Sequence, residues 1–126
     1  MNMRTPLKNV RRLGSAKEGT DHFWLQRLTA VANVFLAIGL VWMIAGFVGQ
    51  GHADVKATIA NPIVAIGLLL LILSGVIHMR LGMQVIVEDY ITGEGSKIVL
   101  LMLNTFFAIA IGLACVFAIL KINFGA

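Results

Sequence analysis

The stretch Asn61-Pro-Ile-Val-Ala-Ile-Gly-Leu-Leu-Leu-Leu-Ile-Leu-Ser-Gly-Val-Ile-His78-Met-Arg80-Leu-Gly82 decides the fold. Asn61 and Pro62 make a helix start, an N-cap side chain followed by a proline at the first helical position. The apolar part from Ile63 to Ile77 makes only about 22 Å of helix. The hydrocarbon core of a bilayer is roughly 30 Å thick. A crossing helix must therefore run on through His78 and Arg80 to Met83 or beyond, which puts His78 inside the inner leaflet. Ionisable side chains at that depth are costly and mark sites of function.

Two more apolar runs flank this one, from about Leu28 to Val48 and from about Ile98 to Ile119. Each has the length of a spanning helix. The composition agrees, since 59% of the 126 residues are hydrophobic and only 13% are charged. A soluble domain carries about 25% charged residues. The sequence predicts a single all-α membrane domain with three transmembrane helices, at about 25–48, 62–87 and 97–120.

Cations divide unevenly between the two sides. Arg4, Lys8, Arg11, Arg12, Lys17 and Arg27 precede or open the first span, and Arg80 and Lys97 flank the turn on the same side. Only Lys56 and Lys121 fall on the other side. The positive-inside rule then predicts a cytoplasmic N-terminus and a periplasmic C-terminus. The basic N-terminal segment lacks aromatic interleaving, so nucleic acid is not an expected partner. No cleavable signal peptide is expected, because the first apolar run starts late and is too long. The single Cys115 excludes an intrachain disulfide, and an iron–sulfur cluster held by this chain alone.

Residues 1–20 read as a polar surface segment, with Ser15 and Thr20 as candidate helix caps. Trp24 and Trp42, about 27 Å apart along a helix, read as interfacial anchors. Ala32, Gly39 and Gly46 form a small-residue stripe suited to close helix approach. Thr29 and Asn33 lie one turn apart and can bond either across that contact or back to their own helix. The segment from Gly49 to Ala60 reads as a simple periplasmic connection, with His52 solvated in it. Residues 91–97 read as a glycine-rich polar turn.

His78 has two readings, a metal or haem ligand or a hydrogen-bonded packing residue. Gly75 and Gly82, at i−3 and i+4, share its helix face and open a shallow groove for a flat macrocycle. Arg27 could pair with haem propionates or snorkel to headgroups, and Arg80 has the same two readings. Tyr90 could donate to a quinone carbonyl beside Asp89 as a proton relay. Alternatively Tyr90 is a belt residue and Asp89 caps the turn.

The order His78-x-Arg80-x-Gly82-Met83 followed by Asp89-Tyr90, at the end of the second of three spans, resembles a known family. It is similar to the hydrophobic membrane anchor subunit of succinate dehydrogenase, which is respiratory complex II. Gly14-Ser-Ala-Lys17, His22-Phe-Trp24 and Arg27-Leu-Thr-Ala30 resemble its alphaproteobacterial form. The resemblance implies a bacterial inner-membrane complex with a flavoprotein, an iron–sulfur subunit and a cytochrome b subunit. It implies that His78 is one axial ligand of a haem b shared with the cytochrome b subunit, and that Arg27 lies near the propionates. It further implies that Tyr90 hydrogen-bonds ubiquinone, with Asp89 in the proton path. Gln84 departs from the tryptophan of some relatives. No catalytic residue for succinate oxidation is expected in this chain. Two alternatives stand beside this reading: an anchor of a quinol:fumarate reductase, and a cofactor-free membrane accessory or assembly subunit.

Overall fold

The computed structural model describes residues 6–7 and 18–125. Arg4, Lys8, Arg11, Arg12, Lys17, the Gly14–Lys17 motif and the candidate cap Ser15 lie outside the described residues. Four helices follow residue 17 among those described: α1 (Glu18–Gly46), α2 (His52–Ile59), α3 (Pro62–Tyr90) and α4 (Glu94–Asn123). Three of them, all but α2, are long and apolar enough to cross a membrane.

Local chemistry explains the helix ends. The Ile63 N–H donates to Asn61 Oδ1 at 3.0 Å, and Pro62 follows the cap, so α3 starts where the sequence predicts. Beyond α1 the chain turns through Gly49 at φ +82°, a left-handed conformation that glycine adopts without a Cβ penalty. Thr20 is not a cap, because α1 already begins at Glu18. The expected turn over 91–97 is shorter than predicted: α4 starts at Glu94, and Lys97 in its first turn donates Nζ to the Glu88 carbonyl at 3.1 Å. That bond neutralises an open carbonyl in the last turn of α3, where cations are favoured.

The predicted simple connection between the first two spans is also corrected. It folds as α2, whose first residue is the exposed His52. Asn123 Nδ2 donates to the Ile59 carbonyl at 3.3 Å and to the Ile119 carbonyl at 3.0 Å. This pair of bonds ties the end of α2 to the last turn of α4.

The long helices stand in a row with α3 in the middle. α3 packs on both α1 and α4, while α1 and α4 share no Cα pair within 8 Å. Arg27 and Lys97 lie at one end of the row, and Lys56 and Lys121 line one hollow at the other. The buried apolar side chains are few: Ala65, Leu81 and Val87 on α3, Ala108 and Ile119 on α4. Trp24 and Trp42 are largely exposed, as their reading as interfacial anchors requires. In water such an apolar surface would be an aggregation hazard, whereas lipid tails and partner helices cover it at little cost.

Candidate functional site

Polar side chains collect where α1 crosses α3. Gln26, Thr29 and Asn33 recur at helical spacing along α1, and Ser74 and His78 stand one turn apart on α3. Ser74 Oγ donates to the Thr29 carbonyl at 3.2 Å. His78 Nδ1 lies 3.2 Å from the Gln26 carbonyl and 3.2 Å from Thr29 Oγ1. A carbonyl oxygen can only accept, so the proton of this bond sits on Nδ1. The neutral imidazole then has its lone pair on Nε2, the form in which histidine binds a metal.

A groove of about 410 Å³ runs beside the imidazole, lined by His22, Gln26, Arg27 and Ala30 of α1 and by His78 and Val85 of α3. His22 Nε2 and Gln26 Oε1 in this lining are buried and have no hydrogen-bond partner among the described residues. Buried polar atoms without partners are rare in native structures and call for a bound group, a water or another chain. The Arg27 guanidinium lies over the Phe23 ring, 4.5 Å from its centroid. Stacked there its N–H groups make no hydrogen bond among the described residues and are available to an anion. Among the described residues no group of three metal-binding side chains converges.

Not every sequence expectation survives at this site. Gly82 does not open a groove, because a Cβ there would meet Gln26 Nε2 at 3.5 Å, so the glutamine side chain lies over it. Gly75 faces open space. Arg80 points away from His78, across the other seam: its Nε donates to Thr105 Oγ1 at 3.4 Å, while Asn104 Nδ2 donates to the Arg80 carbonyl at 2.9 Å. Gln84 donates to Glu88 Oε1 at 2.8 Å, a one-turn surface bond. Sequence reasoning misses Gln26. A signal for it exists, since Gln26, Thr29 and Asn33 form a polar i, i+3, i+7 stripe on an apolar helix.

Asp89 and Tyr90 occupy the exposed C-terminal turn of α3, with Tyr90 80% exposed. Twelve residues separate Tyr90 from His78, about 18 Å along the axis, so the structure holds two separate places rather than one. Asp89 does not cap the turn into α4: the N-cap of α4 is Gly93, with no side-chain bond.

Comparison with known proteins gives a consistent answer. The family model described as succinate dehydrogenase/fumarate reductase transmembrane subunit matches residues 1–119. A succinate dehydrogenase hydrophobic membrane anchor subunit of Paracoccus denitrificans is 30% identical over 122 residues, covering 97% of this chain and 94% of that protein. One of Rickettsia bellii is 31% identical over 119 residues, covering 92% and 93%. The succinate dehydrogenase membrane anchor subunit of Reclinomonas americana is 34% identical over 98 residues, covering 75% and 82%. No solved structure matches. With its three long apolar helices the chain is a multi-pass inner-membrane protein. It belongs to the family of succinate dehydrogenase/fumarate reductase transmembrane subunits.

Proposed function

We propose that the chain is the membrane anchor subunit of a succinate:ubiquinone oxidoreductase, and that it does two jobs there. In the α1/α3 seam His78 would hold the iron of a haem b shared with a cytochrome b subunit. At the cytoplasmic end of α3 it supplies Tyr90 and Asp89 to part of a ubiquinone-reduction site. Succinate itself is oxidised in a flavoprotein partner, and electrons reach the membrane through an iron–sulfur partner. The names of the relatives support the anchor role, and the positive-inside asymmetry supports the cytoplasmic placement of this end.

One observation carries the haem assignment: His78 Nδ1–H donates to the Gln26 carbonyl, which leaves Nε2 of the neutral ring free as a ligand. Beside it, Arg27 would offer a guanidinium to a propionate, and the buried His22 Nε2, in the tautomer that carries its proton, would offer a second donor. Haem b, when bound, supplies a one-electron redox centre and a bridge between the two anchor chains.

Ubiquinone becomes ubiquinol by taking two electrons and two protons. The protein's part is to fix the ring and hold protons near its carbonyl oxygens. The Tyr90 hydroxyl donates to one such oxygen, and the Asp89 carboxyl next in sequence passes protons from the cytoplasm. Both side chains are exposed in the isolated chain, as a site completed by partner subunits requires. Losing a hydrogen bond worth about 1.4 kcal/mol costs about tenfold in rate. In the Tyr90→Phe complex, ubiquinone reduction is expected to fall by roughly that factor or more, while succinate oxidation by an artificial dye persists. Equal loss of both activities would contradict the quinone role.

A further inference from the structure

We propose that Thr29 is a positioning residue for His78, setting the orientation and electron-donating strength of its imidazole. The inference rests on the reading of His78 as the haem ligand. Thr29 is the most deeply buried polar residue among those described, at 6% exposure. Its hydroxyl has a single proton, and that proton is committed to its own helix. Oγ1 donates to the Leu25 carbonyl at 2.8 Å, with the Gln26 carbonyl at 3.1 Å as a second, weaker acceptor. Toward His78 Nδ1, 3.2 Å away, the oxygen therefore presents a lone pair.

The Nδ1–H thus faces two acceptors, Thr29 Oγ1 and the Gln26 carbonyl. The two acceptors share this one N–H, and turning the ring about its Cβ–Cγ bond would carry the proton away from them. Ser74 closes the arrangement by donating to the Thr29 carbonyl at 3.2 Å, one turn before His78 on the same helix. Thr29 is consequently bonded to α3 twice, through its backbone to Ser74 and through its side chain to His78. A threonine whose only role was to bond its own helix backbone would have no need of burial against a histidine.

The chemical consequence is directional. Acceptors on the distal N–H of a ligating imidazole raise its basicity and its donation to the metal. A stronger donor favours ferric over ferrous iron, so the Thr29 oxygen lowers the haem potential. Removing it should raise that potential.

The test uses the whole complex isolated from membranes, in wild-type, Thr29→Val, Thr29→Ser and His78→Ala forms. Valine keeps the β-branched shape and deletes the acceptor, whereas serine keeps the acceptor and deletes a methyl group. Redox titration of haem b reads the midpoint potential, and pigment analysis reads haem per flavin. The expected result is a raised potential in Thr29→Val and the wild-type potential in Thr29→Ser. Loss of haem in the valine form, restored in the serine form, supports the proposal equally. An unchanged potential with full haem in Thr29→Val overturns it, as does the same change in both variants, since that assigns the effect to packing. Retention of haem b in His78→Ala would overturn the ligand assignment itself, whereas loss there with no change in Thr29→Val would overturn the Thr29 role alone.

Discussion

The two faces of α3 are built from similar materials and end in different states. Toward α4, the polar groups of the seam satisfy each other: Asn104 donates to the Arg80 carbonyl, Arg80 donates to Thr105, and Thr105 donates to the Leu101 carbonyl. A Cβ at Gly112 would stand 3.6 Å from Val76, at ordinary contact distance. Toward α1, three polar atoms remain buried without partners among the described residues: His22 Nε2, Gln26 Oε1 and Asn33 Oδ1. One seam is finished within the chain, and the other has hydrogen-bonding capacity left over. Because membrane helices associate through packing and polar bonds rather than hydrophobic drive, the finished seam is where α3 and α4 hold together. The unfinished one is where something further is expected to bind.

That contrast breaks most sharply at two residues close in sequence but on opposite faces. The His78→Ala complex is expected to lose essentially all its haem b, while the Arg80→Ala complex keeps it, as read by pigment content per flavin. Haem retained in the first or lost in the second would erase the distinction between the seams. A smaller effect is expected from Gly112→Leu. An alanine Cβ fits at ordinary contact distance from Val76, but the longer side chain forces α4 off α3. Overpacking of this kind costs about 1–3 kcal/mol, which should lower the thermal unfolding midpoint of the purified complex while its haem spectrum stays unchanged. A shifted haem spectrum would mean that the seams are coupled.

Asn104→Ala should have the smallest effect. The Arg80 carbonyl keeps its own helical bond, so only one interhelical bond is lost, about 0.6 kcal/mol by comparison with membrane helices generally. A midpoint within a few degrees of wild type is expected, with the haem potential unaltered. A drop as large as that of Gly112→Leu would show that polar bonds, rather than close packing, dominate this seam.

The sequence makes the helices legible because their cause is local. Apolar length gives the three spans, Asn61 and Pro62 give the start of α3, and the shortness of the run ending at Ile77 puts His78 within a helix. What it does not make legible is which face of α3 meets which neighbour. Gly75 and Gly82 share a helix face with His78, yet only packing reveals that Gln26 lies over Gly82. Arg80 is two residues from His78, about 200° around the helix, and its assignment to α4 depends on where Thr105 arrives. The helix α2 is hidden for a related reason: its eight residues are too few to be stable alone. Its anchoring bond comes from Asn123, far along the chain.

The arrangement of His78, Arg27, His22 and Gln26 around one groove gives the resemblance to the anchor family a physical content. A family match alone assigns the chain to a complex. Under the proposed function, the bond from Nδ1 to a carbonyl is what would favour this histidine over the exposed His52 of α2 as a haem ligand.

The most direct test of that account is a reduced-minus-oxidised visible spectrum of the complex isolated through a tag on this chain, with its subunits identified in the same sample. A b-type haem band accompanied by a flavoprotein and an iron–sulfur subunit is the expected result. A colourless preparation lacking those subunits would contradict it and return His78 to a role in helix packing.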